Sequence, residues 1–166
     1  MEAKDRIVLG AFVASVVVTL AVVGIVIADS RDTGGSGSSP ARGVSACEAA
    51  LSRGVLPRWA RTGFSDPRPR MAHVVGREGR LAAILFGDPL IAPPSPDRSN
   101  KILWVARKTP EPGPLRLRAR DGSRVVRRVV ETGPGPSIVD LPAGCWTVSA
   151  TWNGGEDVLD LSYAAG

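Results

Sequence analysis

Apolar and polar residues alternate most clearly near the carboxyl end of the chain. In Cys145-Trp-Thr-Val-Ser-Ala-Thr-Trp152, the residues Trp146, Val148, Ala150 and Trp152 alternate with Cys145, Thr147, Ser149 and Thr151. A period of two is that of a strand with one buried face. Asn153-Gly154 follows, a dipeptide that accepts the positive φ angles of a tight hairpin turn, and Leu159, Leu161 and Tyr163 then alternate with Asp160 and Ser162. The two segments predict a terminal hairpin. Upstream, from Pro57 on, short apolar segments are separated by Gly and Pro, with no long stretch of helical period. Strands are predicted over Ala72–Val75, Arg80–Phe86, Lys101–Arg107, Leu115–Arg120, Arg124–Val130, Ser137–Leu141, Cys145–Trp152 and Asp157–Tyr163. Short strands at that spacing predict a mainly β domain, an Ig-like antiparallel β-sandwich. The Pro-rich stretches Ala92–Asp97 and Thr132–Pro136 are read as stiff loops between strands, with polyproline recognition as the alternative.

The pattern before the β region differs. Ile7 to Ile27 is a run of twenty-one residues without an ionisable side chain, which matches the ~20 apolar residues needed to cross a hydrocarbon core. It predicts a single transmembrane helix over 7–27 behind a short cytoplasmic tail at 1–6. Val26-Ile27-Ala28 offers a small-residue cleavage site, and Val44-Ser45-Ala46-Cys47 has the form of a lipobox. The run is too long for a signal-peptide core, and a Gly/Ser stretch separates the lipobox from it. Residues 28–46 are polar and turn-forming, the composition of a flexible linker, and the eighteen residues 29–46 span about 21–25 Å as a coil. Ser45-Ala-Cys-Glu48 has capping-box spacing and Gly54 sits at a helix stop, so a short helix is predicted over Ala46–Arg53. Residues 47–166 then form one domain with enough length to bury a core.

Charge adds a polarity to this arrangement. The chain carries +5 overall and residues 1–32 carry −1, which leaves +6 on the remainder. Eighteen of the 21 basic residues are Arg, beside abundant Ala, Gly, Val and Pro, a bias that a GC-rich genome produces by itself. The number of arginines therefore argues for no particular contact. The positive field remains, and it favours anionic envelope polymers or lipid headgroups. Lys4 and Arg6 precede the apolar run while Arg31 and Arg42 follow it, so flanking charge does not orient the span. Cys47 and Cys145 suit an oxidising compartment, which places the domain outside the cytoplasm. Two cysteines in such a domain predict one disulfide, and closing a loop of about 100 residues is worth about 4.7 kcal/mol in the chain-entropy model. A reactive Cys47 near a helix start is the competing reading.

Little in the chain points to catalysis. His73 is the only histidine, it falls in a predicted strand, and no Gly-x-Ser-x-Gly elbow accompanies it. One histidine and two distant cysteines lack the paired spacing of a zinc site. Phosphate-loop and dinucleotide fingerprints are missing from the sequence. The acid pair Glu156 and Asp157 adjoins the terminal turn and reads as its solvated end. No catalytic, cofactor-binding or metal-ligating residue is predicted.

The candidate binding surface is an arginine row. In Leu115-Arg-Leu-Arg-Ala-Arg120, Arg116, Arg118 and Arg120 take the face opposite Leu115, Leu117 and Ala119. Arg124, Arg127 and Arg128 follow the Asp121-Gly122 turn and can lie on the neighbouring strand, so Arg116, Arg118, Arg120 and Arg127 are the candidate anion-binding residues. A solvated face that discourages edge pairing is the alternative. Nucleic acid is disfavoured, since the basic residues lack interleaved exposed aromatics. Trp104 and Trp146 lie inside apolar strands and are read as core, while Trp59 has no evident place.

The segments Pro57-Arg-Trp-Ala-Arg-Thr-Gly-Phe64, Asn100-Lys-Ile-Leu-Trp-Val105 and Gly144-Cys-Trp146 with its hairpin resemble hypothetical actinobacterial exported proteins that have one membrane anchor and a small β domain. The resemblance covers most of residues 47–163. It implies an extracytoplasmic domain and brings no catalytic residues. The expectation is a single-pass, non-enzymatic binding module of the cell envelope with a protein or an anionic envelope polymer as partner. An envelope hydrolase or thiol-redox accessory is the alternative.

Overall fold

In this computed structural model, which describes residues 47–166, the strands are β1 (Leu51–Ser52), β2 (His73–Val75), β3 (Leu81–Leu85), β4 (Leu90–Ala92), β5 (Lys101–Ala106), β6 (Leu115–Asp121), β7 (Arg124–Val130), β8 (Pro136–Ile138), β9 (Gly144–Trp152) and β10 (Gly155–Ala165). The chain is mainly β, in two five-stranded sheets ordered β1-β2-β3-β5-β8 and β4-β10-β9-β6-β7. The predicted terminal hairpin is present: Trp152 pairs with Gly155 across a two-residue turn in which Gly154 has φ 96°. The expected tail at 1–6, transmembrane helix at 7–27 and linker at 28–46 lie outside the described residues. Among the described residues no helix is long and apolar enough to cross a membrane.

Two expectations about local structure are corrected. Residues 47–50 make a single helical turn, after which Leu51 and Ser52 pair with Val74 and His73. The short helix expected over Ala46–Arg53 is cut to its start because these backbone groups find partners on the edge of the first sheet. The sandwich is also not wholly antiparallel. Leu90, Ile91 and Ala92 of β4 run parallel to Tyr163, Ala164 and Ala165 of β10. Five further strands intervene between them in the chain, so no hairpin forces their directions to oppose.

The core lies between the sheets. Leu81, Ala83, Leu85, Ile102 and Trp104 of the first sheet meet Leu117, Trp146, Val148, Leu159 and Leu161 of the second in one buried cluster. β3 is buried at all five positions because its other face is covered too. Ala82 and Ile84 point away from the main core and pack with Leu56, Ala60, Trp59, Phe64 and Met71. The stretch before β2 therefore folds over the first sheet as a lid, and Trp59 belongs to that lid. Strand interiors apolar on both faces are the signature of such double coverage.

Polar groups tie the sheets together at fixed points. Asp157, expected to be solvated, is 3 % exposed. Its carboxylate accepts backbone N–H bonds from Glu78 at 2.9 Å, Arg80 at 2.8 Å, Leu81 at 3.0 Å and Val158 at 2.8 Å. The reading of Glu156 and Asp157 as one solvated end holds for Glu156 and fails for Asp157, whose carboxylate turns inward to satisfy the open amides of the β2–β3 turn. Gly76 is required there, since a Cβ would overlap the Asp157 carboxylate. Asn100, 1 % exposed, bonds both backbone groups of Ile91 and the Asp140 carboxylate. Cys47 and Cys145 form the expected disulfide, with Cα atoms 5.8 Å apart, and so bind the chain's entry into the domain to the start of β9.

Tyr163 is the only tyrosine, and its hydroxyl donates to the Val139 carbonyl at 2.6 Å. Burial pushes the phenol up from its ordinary value, Asp140 adds to the rise and Arg128 opposes it. A raised folded value means that the contribution to stability is complete below the unfolded phenol's ionisation near pH ~10 and is lost as pH rises beyond it. Absorbance titration of the full chain should show no phenolate until unfolding begins in the alkaline range. Reversible phenolate formation at the ordinary phenol pH in the folded protein would contradict the buried placement.

Candidate functional site

β6 alternates strictly between buried Leu115, Leu117 and Ala119 and exposed Arg116, Arg118 and Arg120. Successive arginines on such a strand stand roughly 7 Å apart. The edge strand β7 pairs with β6 so that Val129, Arg127 and Val125 lie opposite Arg116, Arg118 and Arg120. Arg127 thus joins the row, directly across from Arg118. On the other flank β9 places Thr151, Ser149 and Thr147 opposite the same three arginines. The result is one sheet face with a basic row, a hydroxyl row beside it, and exposed Val125 and Val129 bordering Arg127.

Acidic groups are held away from this row. Glu156 and Asp160 follow on β10, across from Thr151 and Thr147, two strand spacings or about 10 Å from the arginines. Asp160 is also engaged elsewhere: Thr147 Oγ1 donates to it at 2.7 Å and Arg77 pairs with it at 3.1 Å. Among the described residues, no carboxylate lies within ion-pair distance of Arg116, Arg118, Arg120 or Arg127. The other arginines of this region are turned to structural tasks. Arg124 bonds Asp121 and the Ala143 carbonyl and lies 4.9 Å from the Trp146 ring centroid. Arg128 crosses the open side of the sandwich to the Asp140 carbonyl at 3.1 Å. Arg124 and Arg128 have the phase of Val126 and Val130, facing the core, which is why the β7 arginines divide between the two faces.

No protein-family model, curated protein or solved structure matches the chain. What the site can do is therefore read from its geometry alone.

The remaining sequence candidates are not brought together with this face. His73 is 4 % exposed on β2 under the lid, and its Nδ1 lies 2.8 Å from the Met71 carbonyl. Neither an acid nor a hydroxyl hydrogen-bonds to the ring among the described residues. Cys47 and Cys145 are joined, so neither is a free thiol, and the sulfur that a lipid would need is occupied. Arg53, at the opposite flank, forms an ion pair with Asp88 at 2.5 Å, and that bond raises its already high basicity.

The hydroxyl row was not singled out in the sequence. Its signal was the alternation that marked the apolar face of β9: the positions between Trp146, Val148 and Ala150 are all Thr or Ser. Like charges directly opposite on paired strands are destabilising, by up to about 1 kcal/mol. Arg127→Glu replaces the Arg118 repulsion with attraction, so urea denaturation should show a variant more stable by roughly 0.5 kcal/mol. Unchanged or reduced stability would mean that Arg118 and Arg127 do not face each other unneutralised.

Proposed function

We propose that this chain is a single-pass, membrane-anchored, non-enzymatic binding module of the cell envelope that holds an anionic polymer on its arginine face. In this reading the Ile7–Ile27 run spans the membrane, residues 28–46 link it to the domain, and the β domain is an extracytoplasmic Ig-like sandwich. The resemblance to actinobacterial exported proteins and the cysteine pair support the location. The two packed sheets and the terminal hairpin support the sandwich, with β4–β10 as its parallel departure.

The observation that carries the function is Arg118 standing opposite Arg127, with Arg116 and Arg120 beside them and, among the described residues, no carboxylate within ion-pair distance of the four. A merely soluble surface interleaves charges of both signs. A row that concentrates one sign, at a local cost in stability, supports a bound counter-charge. Guanidinium groups suit carboxylate and phosphate geometry, and the spacing of roughly 7 Å suits a linear polymer with repeated charges along β6. Ser149 and Thr151 add neutral donors and acceptors beside it, while the Thr147 hydroxyl is given to Asp160. The hydrolase and thiol-redox alternatives draw no support from this geometry, since the His73 ring bonds to backbone and both cysteines are paired.

The test uses the full chain in lipid nanodiscs with dextran sulfate as the polyanion. Binding should weaken steeply with added salt and fall about tenfold or more in the combined Arg116→Glu, Arg118→Glu and Arg120→Glu variant, while the thermal midpoint stays near that of the parent. Retained binding in that variant would reject the arginine face as the site.

A further inference from the structure

At one end of the sandwich, Trp152 stands on the core-facing side of β9 yet stays only half-buried. Its indole is packed against Gly155, where an added Cβ would lie 2.7 Å from Cζ2, so the glycine leaves the ring its room against the turn. The ring forms one wall of a cleft of about 420 Å³ that Glu78, Arg80, Arg107, Lys108 and Thr109 also line. That volume falls within the range of small-ligand sites, roughly 300–1,000 Å³. Arg80 is partnered by Glu78 at 3.8 Å. Arg107 and Lys108 have no carboxylate within ion-pair distance among the described residues. The cleft thus offers one aromatic wall, two uncompensated cations, one hydroxyl and, at its side, the mutually paired Glu78 and Arg80.

The cleft also lies next to the arginine face. A second cavity of about 330 Å³ shares Glu78 and Arg80 with it and is lined also by Glu156, Asp157, Ser149 and Thr151; the last two pair with Arg118 and Arg116. Glu78 and Glu156 line the passage between the face and the cleft, so the two are separate sites and an anionic polymer on β6 does not run on into the cleft. The disulfide is at the opposite end of β9, at Cys145, so the chain's entry at Cys47 does not obstruct it.

We propose that the Trp152 cleft is a binding site for a single hexose unit carrying one carboxylate or phosphate, the C–H face of the sugar stacked on the indole and the anion held by Arg107 and Lys108. A single aromatic wall, with no second one opposite, suits a sugar ring better than a planar base, which gains most from stacking on both sides. A uronate and a sugar phosphate share the required chemistry, since either anion accepts charge-assisted bonds from guanidinium and ammonium. This assignment deepens the polymer-binding reading and rests on it only for the class of ligand: the arginine face captures by charge, and the cleft, a separate site, reads a sugar unit.

The full chain in nanodiscs is titrated with glucuronate, glucose 6-phosphate and neutral glucose, with tryptophan fluorescence as the readout. At least one of the two anions should perturb the fluorescence saturably and glucose should not; the tighter anion identifies the source. Arg107→Ser with Lys108→Ser, both exposed and so safe for folding, should weaken that anion about tenfold, and Trp152→Phe should abolish most of the signal. The combined Arg116→Glu, Arg118→Glu and Arg120→Glu variant should leave it unchanged. Silence with both anions, equal binding of glucose, or indifference to the Arg107 and Lys108 changes overturns the cleft assignment. If dextran sulfate capture still depends on the arginine face while the sugars are silent, the cleft fails and the face stands. Saturable sugar binding with dextran sulfate capture indifferent to the arginine face gives the reverse.

Discussion

The carboxylate of Asp157 is the joint on which the rest of the domain depends. It sits on β10 in the second sheet and accepts backbone bonds from three residues of the turn and strand that open β3 in the first. Arg77 N–H adds a bond to the Val158 carbonyl at 2.9 Å, while Gly76 and Gly79 close the turn on itself. Every amide from Gly76 to Leu81 is thereby satisfied, although Arg77, Glu78 and Arg80 expose their side chains to solvent. A buried charge without such partners costs several kcal/mol, and a buried backbone amide left without its acceptor typically costs about 1–3 kcal/mol. The lock also has a functional side. It fixes Glu78 and Arg80, which separate the Trp152 cleft from the hydroxyl row.

The disulfide and Asn100 complete this frame at other points. Cys145 holds the entry of the domain against β9, and Asn100 holds β4 to the start of β5 and to Asp140. Between these ties the apolar core needs no special chemistry, because Trp104 and Trp146 each direct the indole N–H to an acceptor, Ser137 Oγ at 3.0 Å and the Pro142 carbonyl at 2.7 Å. A rigid frame is what allows an outward face to hold Arg118 opposite Arg127. Local repulsion of at most about 1 kcal/mol is tolerable where strand register is set elsewhere.

Much of this was legible in the residues, for definite physical reasons. The period of two in β6 and β9 assigned faces correctly, so the arginine row and the inward Trp146 could be read without coordinates. Asn153-Gly154 marked the hairpin because few other dipeptides accept its backbone angles. Interactions between distant segments were not legible. The alternation of β10 puts Asp157 in the inward phase of Leu159, Leu161 and Tyr163, yet nothing local shows what a carboxylate buried there would bind, since its partners in the first sheet lie 76 to 79 residues away in the chain. Trp59 could not be placed because the lid it belongs to has no regular period. β1 and β4, two and three residues long, are too short to show any alternation. The Trp152 cleft was hidden for the same reason: Arg80, Arg107 and Trp152 come from three separate strand ends.

Amide hydrogen exchange of the full chain, read residue by residue, bears most directly on the joint at Asp157. The amides of Glu78, Arg80 and Leu81 should exchange as slowly as the core amides of β3, opening only with global unfolding, although two of these residues are exposed. Exchange of Glu78 and Arg80 at the rate of an open surface turn, while β3 stays protected, would show that the carboxylate does not hold the two sheets together.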